Sequence, residues 1–151
     1  LKADIQGNGT LAALMAAGNI GQVVAYYNAP ADPAFYVWRT SVSRSEMHSA
    51  YVWTEMDGFN NVAKQFQFRL LIDEGQINPS LANVRTGLQD IFTGAGFAGT
   101  RAAMIALCSR TALNVEKLFA TGGTGADAAN SATMGREGTL SQADIEYAMA
   151  S

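Results

Sequence analysis

The sequence predicts a mainly α protein, a single compact domain over 1–151 with six to seven helices and one short two-stranded β element. Three observations predict it. Apolar residues recur at intervals of three and four, as in Leu81, Val84, Leu88, Ile91 and Phe92. Two Ser-x-x-acid boxes, Ser43 to Glu46 and Ser141 to Asp144, have the spacing of a helix start. Only residues 35–40 combine aromatic and β-branched side chains behind a proline in the manner of a convincing strand.

Residues 11–27 read as the first helix. Leu11, Leu14, Met15, Val23, Val24 and Tyr27 keep helical spacing, while Gly18 and Gly21 weaken the middle. Pro30 and Pro33 stop it, because each forces its predecessor into extended backbone. After the strand at 35–40, Ser43 caps a helix to about Asp57, with Met47 and Tyr51 inward and Gly58 as its stop. Asn60 or Asn61 opens the next helix, which runs to Glu74. Its apolar residues Val62, Phe66, Phe68, Leu70, Leu71 and Ile72 spread so far round the helix that it should be flanked on more than one side. Gly75 supplies its end.

Asn78 and Pro79 predict a further start, with asparagine as cap and proline in the first turn. Residues 93–100 form a glycine turn, and Thr100 caps an apolar, central helix over 101–109. Thr111 caps a shorter helix carrying Val115, Leu118 and Phe119. Residues 121–132 are a loop of small residues. Residues 132–137 are the second strand, whose partner is 35–40. Ser141 opens the last helix, through Ile145 and Met149.

A chain of 151 residues fits one domain and buries roughly 70% of the surface its unfolded form exposes. Charged residues are 15% of it, against roughly 25% in an ordinary soluble domain. Two explanations stand open: a small neutral domain, or a subunit that hides surface against other chains. Net charge is −3 and the ten Lys and Arg residues are scattered. No specific nucleic-acid readout and no membrane binding are therefore expected. No apolar run approaches the ~18 residues of a spanning helix, and no basic segment precedes an apolar one as in a secretory leader. The lone Cys108 cannot form an intrachain disulfide.

Chemistry is sparse. Gly94-Ala-Gly-Phe-Ala-Gly99 has dinucleotide-loop spacing, but a helix precedes it where that motif needs a strand. Gly122-Gly-Thr-Gly125 lacks the Lys-Ser/Thr that would reach phosphates. His48 and Cys108 would be a nucleophile pair only if Cys108, in the apolar run Met104-Ile-Ala-Leu-Cys108, were accessible. One His and one Cys fall short of a zinc site. The acid pairs Asp73 with Glu74, Glu55 with Asp57, and Glu137 with Asp144 sit at helix ends, where carboxylates cap or face solvent. No catalytic, cofactor-binding or metal-binding residue is expected. The candidate contact residues are Trp38, Arg39 and Trp53, an aromatic–cation set of the types that anchor interfaces. Gly122, Gly123, Thr124 and Gly125 join them as a loop able to order against a partner.

Several strings carry a resemblance. Val37-Trp-Arg-Thr-Ser-Val42, Ile77-Asn-Pro-Ser80 with Asn83-Val-Arg-Thr-Gly-Leu-Gln-Asp-Ile-Phe92, Glu116-Lys-Leu-Phe-Ala-Thr-Gly-Gly-Thr-Gly125 and Glu137-Gly-Thr-Leu-Ser141 are similar to a family of small, mostly uncharacterised proteins of tailed bacteriophages and prophages. The resemblance covers nearly the whole chain. It implies a non-enzymatic, multi-copy component of the virion structural module, made in the host cytoplasm and carried in the virion. Its partners would be other virion proteins and copies of itself. A head–tail connector or adaptor is the first expectation, since small helical subunits suit ring assembly. The alternatives are a capsid or tail accessory (decoration) protein, and an intracellular phage-encoded binding or regulatory protein.

Overall fold

A computed structural model describes residues 1–151. Its elements in chain order begin with α1 (Lys2–Gly7), α2 (Gly9–Ala16), α3 (Ile20–Asn28), β1 (Tyr36–Trp38), β2 (Val42–Ser43), α4 (Arg44–Ala50), α5 (Trp53–Met56) and α6 (Val62–Ile72). They continue with β3 (Gln76–Ile77), α7 (Ala82–Ile91), α8 (Ala98–Cys108), β4 (Ser109–Thr111), α9 (Asn114–Leu118), β5 (Ala120–Thr121), β6 (Thr133–Met134) and α10 (Gln142–Ala150). The mainly α class holds. The number of α-helices is ten rather than six to seven, because the expected helix over 11–27 and the one after Ser43 each break in two and α1 adds a helix ahead of them. Three two-stranded sheets, β1–β4, β2–β3 and β5–β6, replace the single one expected.

The chain divides into two compact units. The first comprises Leu1–Phe35, Thr111–Gly122 and Met134–Ser151. Its core joins Ile5, Leu11, Val23, Tyr27, Val115 and Ile145 from α1, α2, α3, α9 and α10 with Leu140 from the segment before α10. The expected helix over 11–27 is two helices, because Gly18 turns the chain with φ +73°. The first of them starts early, at Gly9, where the Asn8 side chain accepts from the backbone N–H groups of Thr10 and Leu11. Asn28 exchanges side-chain bonds with both backbone groups of Leu140, at 2.7 and 2.9 Å. Ser141 and Asp144 form the expected capping box of α10. Thr111 lies in β4, and the residue at the N-cap position of α9 is Leu113. The start of α9 is held instead by Glu116, whose carboxylate accepts from Leu113 N–H at 2.9 Å and from Gly138 N–H at 3.0 Å.

The second unit comprises Tyr36–Arg110 and Gly123–Thr133. Trp38, Val42, Met47, Tyr51, Phe68, Ile72, Ile77, Leu88, Ile91, Phe92, Met104 and Cys108 form its core. Phe92 is wholly buried at its centre. Its ring meets Tyr51, Phe59, Phe68 and Phe97 at centroid distances from 5.3 to 6.3 Å, within the range of favourable aromatic packing. The buried Tyr51 hydroxyl has no hydrogen-bond partner, and burial pushes it up to about 12.

Several expected boundaries move here. Ser43 and Glu46 cap α4 as expected, but the helix ends at Ala50 and α5 follows as a separate turn. Asn61 caps α6 by accepting from Lys64 N–H. Asn78 does not cap α7, because its side chain accepts from the N–H and hydroxyl of Ser80, which delays the helix to Ala82. Thr100 is not a cap either. It lies inside α8, fully buried, and its hydroxyl accepts from Val52 N–H. The Glu55 carboxylate takes the N–H groups of Gly99 and Thr100 at 2.9 and 2.8 Å. The segment 132–137 meets β1 only through Ala132, in a parallel bridge with Val37, and β1 takes β4 as its partner. The unforeseen β3 pairs antiparallel with β2, Val42 against Ile77.

Glu46 gives the fold a pH dependence. The Ser43 backbone N–H, then Arg39 at 2.7 Å and the Ser43 hydroxyl, lower its pKa from 4.5 to about 2. A depressed carboxyl stabilises the native state above its unfolded value and stops doing so as pH falls through the folded one. Acid titration followed by circular dichroism should therefore show stability lost between about pH 4.5 and 2. The Glu46→Gln variant should show a smaller loss across that window.

Candidate interaction site

α6 carries the most distinctive surface of the second unit. Its inward side presents Phe68 and Ile72, 9% and 5% exposed, with the half-buried Leu71 beside them. Residues four apart share a helix face, so Val62, Phe66 and Leu70 form one line along the helix. They are 76%, 60% and 55% exposed. Phe66 and Phe68 are two positions apart and so point to nearly opposite sides. The wide apolar pattern expected of this helix is real, but only one of its two apolar faces is covered. Asn61 starts the helix and Lys64 anchors it, donating to the Asp90 carbonyl oxygen of α7. Asp73 and Glu74 follow its last turn, exposed.

A second feature lies between β1, α7 and α8. The Arg85 guanidinium stands over the Trp38 ring at 4.7 Å, a cation–π distance. It donates to the carbonyl oxygens of Pro79 and Ser80 at 2.7 and 2.8 Å, fixing the approach to α7. Burial lowers its pKa. A small, largely apolar pocket of about 30 Å³ lies behind it, lined by Leu88, Phe92, Met104 and Ile105 among others. A wider cleft shares Trp38, Arg85 and Gln89 with it and is closed on the far side by Gly123 and residues 129–131. No carboxylate lines either space. The arrangement offers no acid–base pair.

The expected contact residues are dispersed by this geometry. Trp38 is buried, and its cation is Arg85 rather than Arg39. Arg39 pairs with Glu46 at 2.7 Å and donates to the Leu107 carbonyl at 3.2 Å. Trp53 is 63% exposed and packs edge-on to Tyr51 at 5.4 Å. The aromatic–cation trio is therefore not assembled. Gly122, Gly123 and Thr124 are exposed, whereas Gly125 is buried and its carbonyl accepts from Tyr36 N–H at 2.8 Å. Thr124 and Gly125 both donate to the Asn130 carbonyl, so this loop is tied by its own backbone. Arg85 leaves only a faint trace in the sequence, as an arginine on the flank of an apolar stripe.

Candidate chemical groups also have structural partners. His48 is exposed and lies against Tyr51 at 5.4 Å. The Cys108 thiol is pushed up to about 11 by burial, the condition of an inert thiol. Glu55 and Asp144 hold helix starts. No group of three or more His, Cys, Asp or Glu side chains is placed to hold a metal ion. No single helix is long and apolar enough to cross a membrane. The segments Ala82–Ile91 and Ala95–Cys108 reach that length only together and meet at 115°.

The loop makes a testable distinction. A Cβ on Gly123, at φ +69°, would come 2.4 Å from the Ser131 carbonyl oxygen, whereas one on Gly122, at φ +59°, meets nothing within 4 Å. Gly122→Ala should cost about 1 kcal/mol from backbone strain alone. Gly123→Ala should cost about 2–3 kcal/mol or more in denaturant unfolding. Equal losses would contradict the close approach at Gly123. Comparison with protein families, curated proteins and solved structures finds no match to this chain.

Proposed function

We propose that this chain is a non-enzymatic structural subunit of a tailed-phage virion, used in many copies, with a head–tail connector or adaptor as the first reading. The observation that carries its assembly character is the uncovered line of Val62, Phe66 and Leu70 on α6. Exposed apolar residues are ordinary when scattered singly, but several in line on one helix mark an association surface. The low charge of the chain fits surface hidden between subunits. The engagement of Glu46, Glu55 and Asp144 at helix starts, and the buried thiol of Cys108, support a role without catalysis. The virion placement comes from the resemblance of its sequence strings to small phage proteins. Capsid or tail accessory roles share the same surface logic.

Purified virions of a phage carrying this gene, analysed by quantitative mass spectrometry, should contain the chain at a fixed stoichiometry of several copies per particle. Its absence from washed particles would remove the structural role and favour the intracellular binding or regulatory one.

A further inference from the structure

Arg85 is a half-buried cation without an acid. Arg39 has Glu46 at 2.7 Å and Lys64 has Asp90 at 3.9 Å. No carboxylate lies within ion-pair distance of Arg85. Its Nη1 is committed to the carbonyl oxygens of Pro79 and Ser80, and one face of its guanidinium to the Trp38 ring. Nε and Nη2 make no hydrogen bond within the chain. These two nitrogens form the edge of a guanidinium that carries two parallel N–H groups, the fork that takes a carboxylate bidentately. Held at Nη1 and stacked on Trp38, the fork is fixed before anything binds, so little freedom is lost when it is used.

The space around the fork is polar and carries no negative charge. Residues 82, 85, 86 and 89 share one face of α7 and make one wall of the cleft, opposite Gly123 and residues 129–131. The Thr86 hydroxyl and the Gln89 amide on that wall are exposed and make no hydrogen bond within the chain. Asp127, near the opposite wall in sequence, is spent on Asn130, whose backbone and side-chain N–H groups it accepts at 2.9 and 3.0 Å. The cleft holds about 320 Å³, at the lower end of the roughly 300–1,000 Å³ of small-molecule sites. The pocket of about 30 Å³ behind Arg85 has room for about one water, so a ligand sits in the cleft. One guanidinium balances the single charge of a carboxylate. A phosphate dianion would keep an excess charge, since no second cation lines the cleft.

We propose that this cleft binds a carboxylate, gripped by Nε and Nη2 of Arg85 with the Thr86 hydroxyl and the Gln89 amide as further donors. The carboxylate belongs to a small free acid or to an Asp or Glu side chain of another protein, which present the same planar pair of oxygens. The inference is independent of the virion reading, because binding is measured on the isolated chain.

NMR titration of the ¹⁵N-labelled chain reads the site at the Arg85 Nε–H and the Trp38 indole N–H. Succinate stands for a free acid and the blocked peptide acetyl-Ala-Asp-Ala-amide for a side chain, with chloride and inorganic phosphate at matched ionic strength as controls. Saturable shifts of both signals, with a dissociation constant of millimolar order, are expected from at least one of the two carboxylates. Binding of succinate alone identifies a free acid as the ligand, and binding of the peptide alone a protein side chain. Arg85→Ala also removes the brace on α7, so the deciding variant is Gln89→Glu. It sets a carboxylate four positions along α7 from Arg85, at an exposed position, and supplies the anion from within. Affinity for the bound carboxylate should fall at least about tenfold, the loss of one charge-assisted hydrogen bond or more. The melting temperature should fall by no more than about 2 °C, as for substitutions at exposed positions. Shifts no larger than chloride gives, phosphate binding as tightly as either carboxylate, or unchanged affinity in Gln89→Glu would overturn the proposal.

Discussion

The constraint on which the structure depends is the satisfaction of backbone N–H groups at the starts of many short helices. Each start exposes donors that the helix itself cannot meet, and helices of this length have too few internal bonds to tolerate the loss. The chain answers with side chains. Asn8, Ser43 with Glu46, Asn61, and Ser141 with Asp144 work within their own turns. Glu55 reaches the first turn of α8 from 44 positions away, and the fully buried Glu116 ties the start of α9 to Gly138. A buried carboxylate is tolerated only when hydrogen-bonded in this way.

That constraint shapes the functional reading. Hydrogen bonds at helix starts hold the carboxyls of Glu46, Glu55 and Asp144 below their ordinary pKa, the opposite of a general acid with a raised one. The single thiol is buried and the single histidine is exposed. Distinctive features then remain in two places. One is the Trp38–Arg85 stack, which braces the entry to α7 and leaves a cavity free of carboxylates. The other is α6, held by its inner face and bare on its outer one. The chain is thus low in charge, has several of its acids committed to helix starts, and leaves one helix half covered.

Local signals were legible in the sequence and distant ones were not. Both serine boxes sit where their spacing puts them, because each is complete within four residues. The stop at Gly75, with φ +79°, is likewise a property of one residue. Asn78 misled because its side chain had a nearer hydroxyl, that of Ser80, to accept from. Thr100 misled because the donors at its helix start were answered from α5. β2 and β3 are two residues each, too short for any alternation, and exist because Val42 and Ile77 meet. The candidate site divides in the same way. The doubled apolar pattern of α6 is visible as periodicity. The stacking of Arg85 on Trp38 joins residues 47 positions apart and leaves no pattern.

The central claim is that the outer face of α6 is covered by another chain. Hydrogen exchange of the α6 amides, Lys64 to Ile72, measured at low and at high protein concentration, tests it most directly. Covering the face should slow exchange in this helix at high concentration, while α10 in the first unit exchanges alike at both. The same exchange rates in α6 across the whole concentration range would contradict the account.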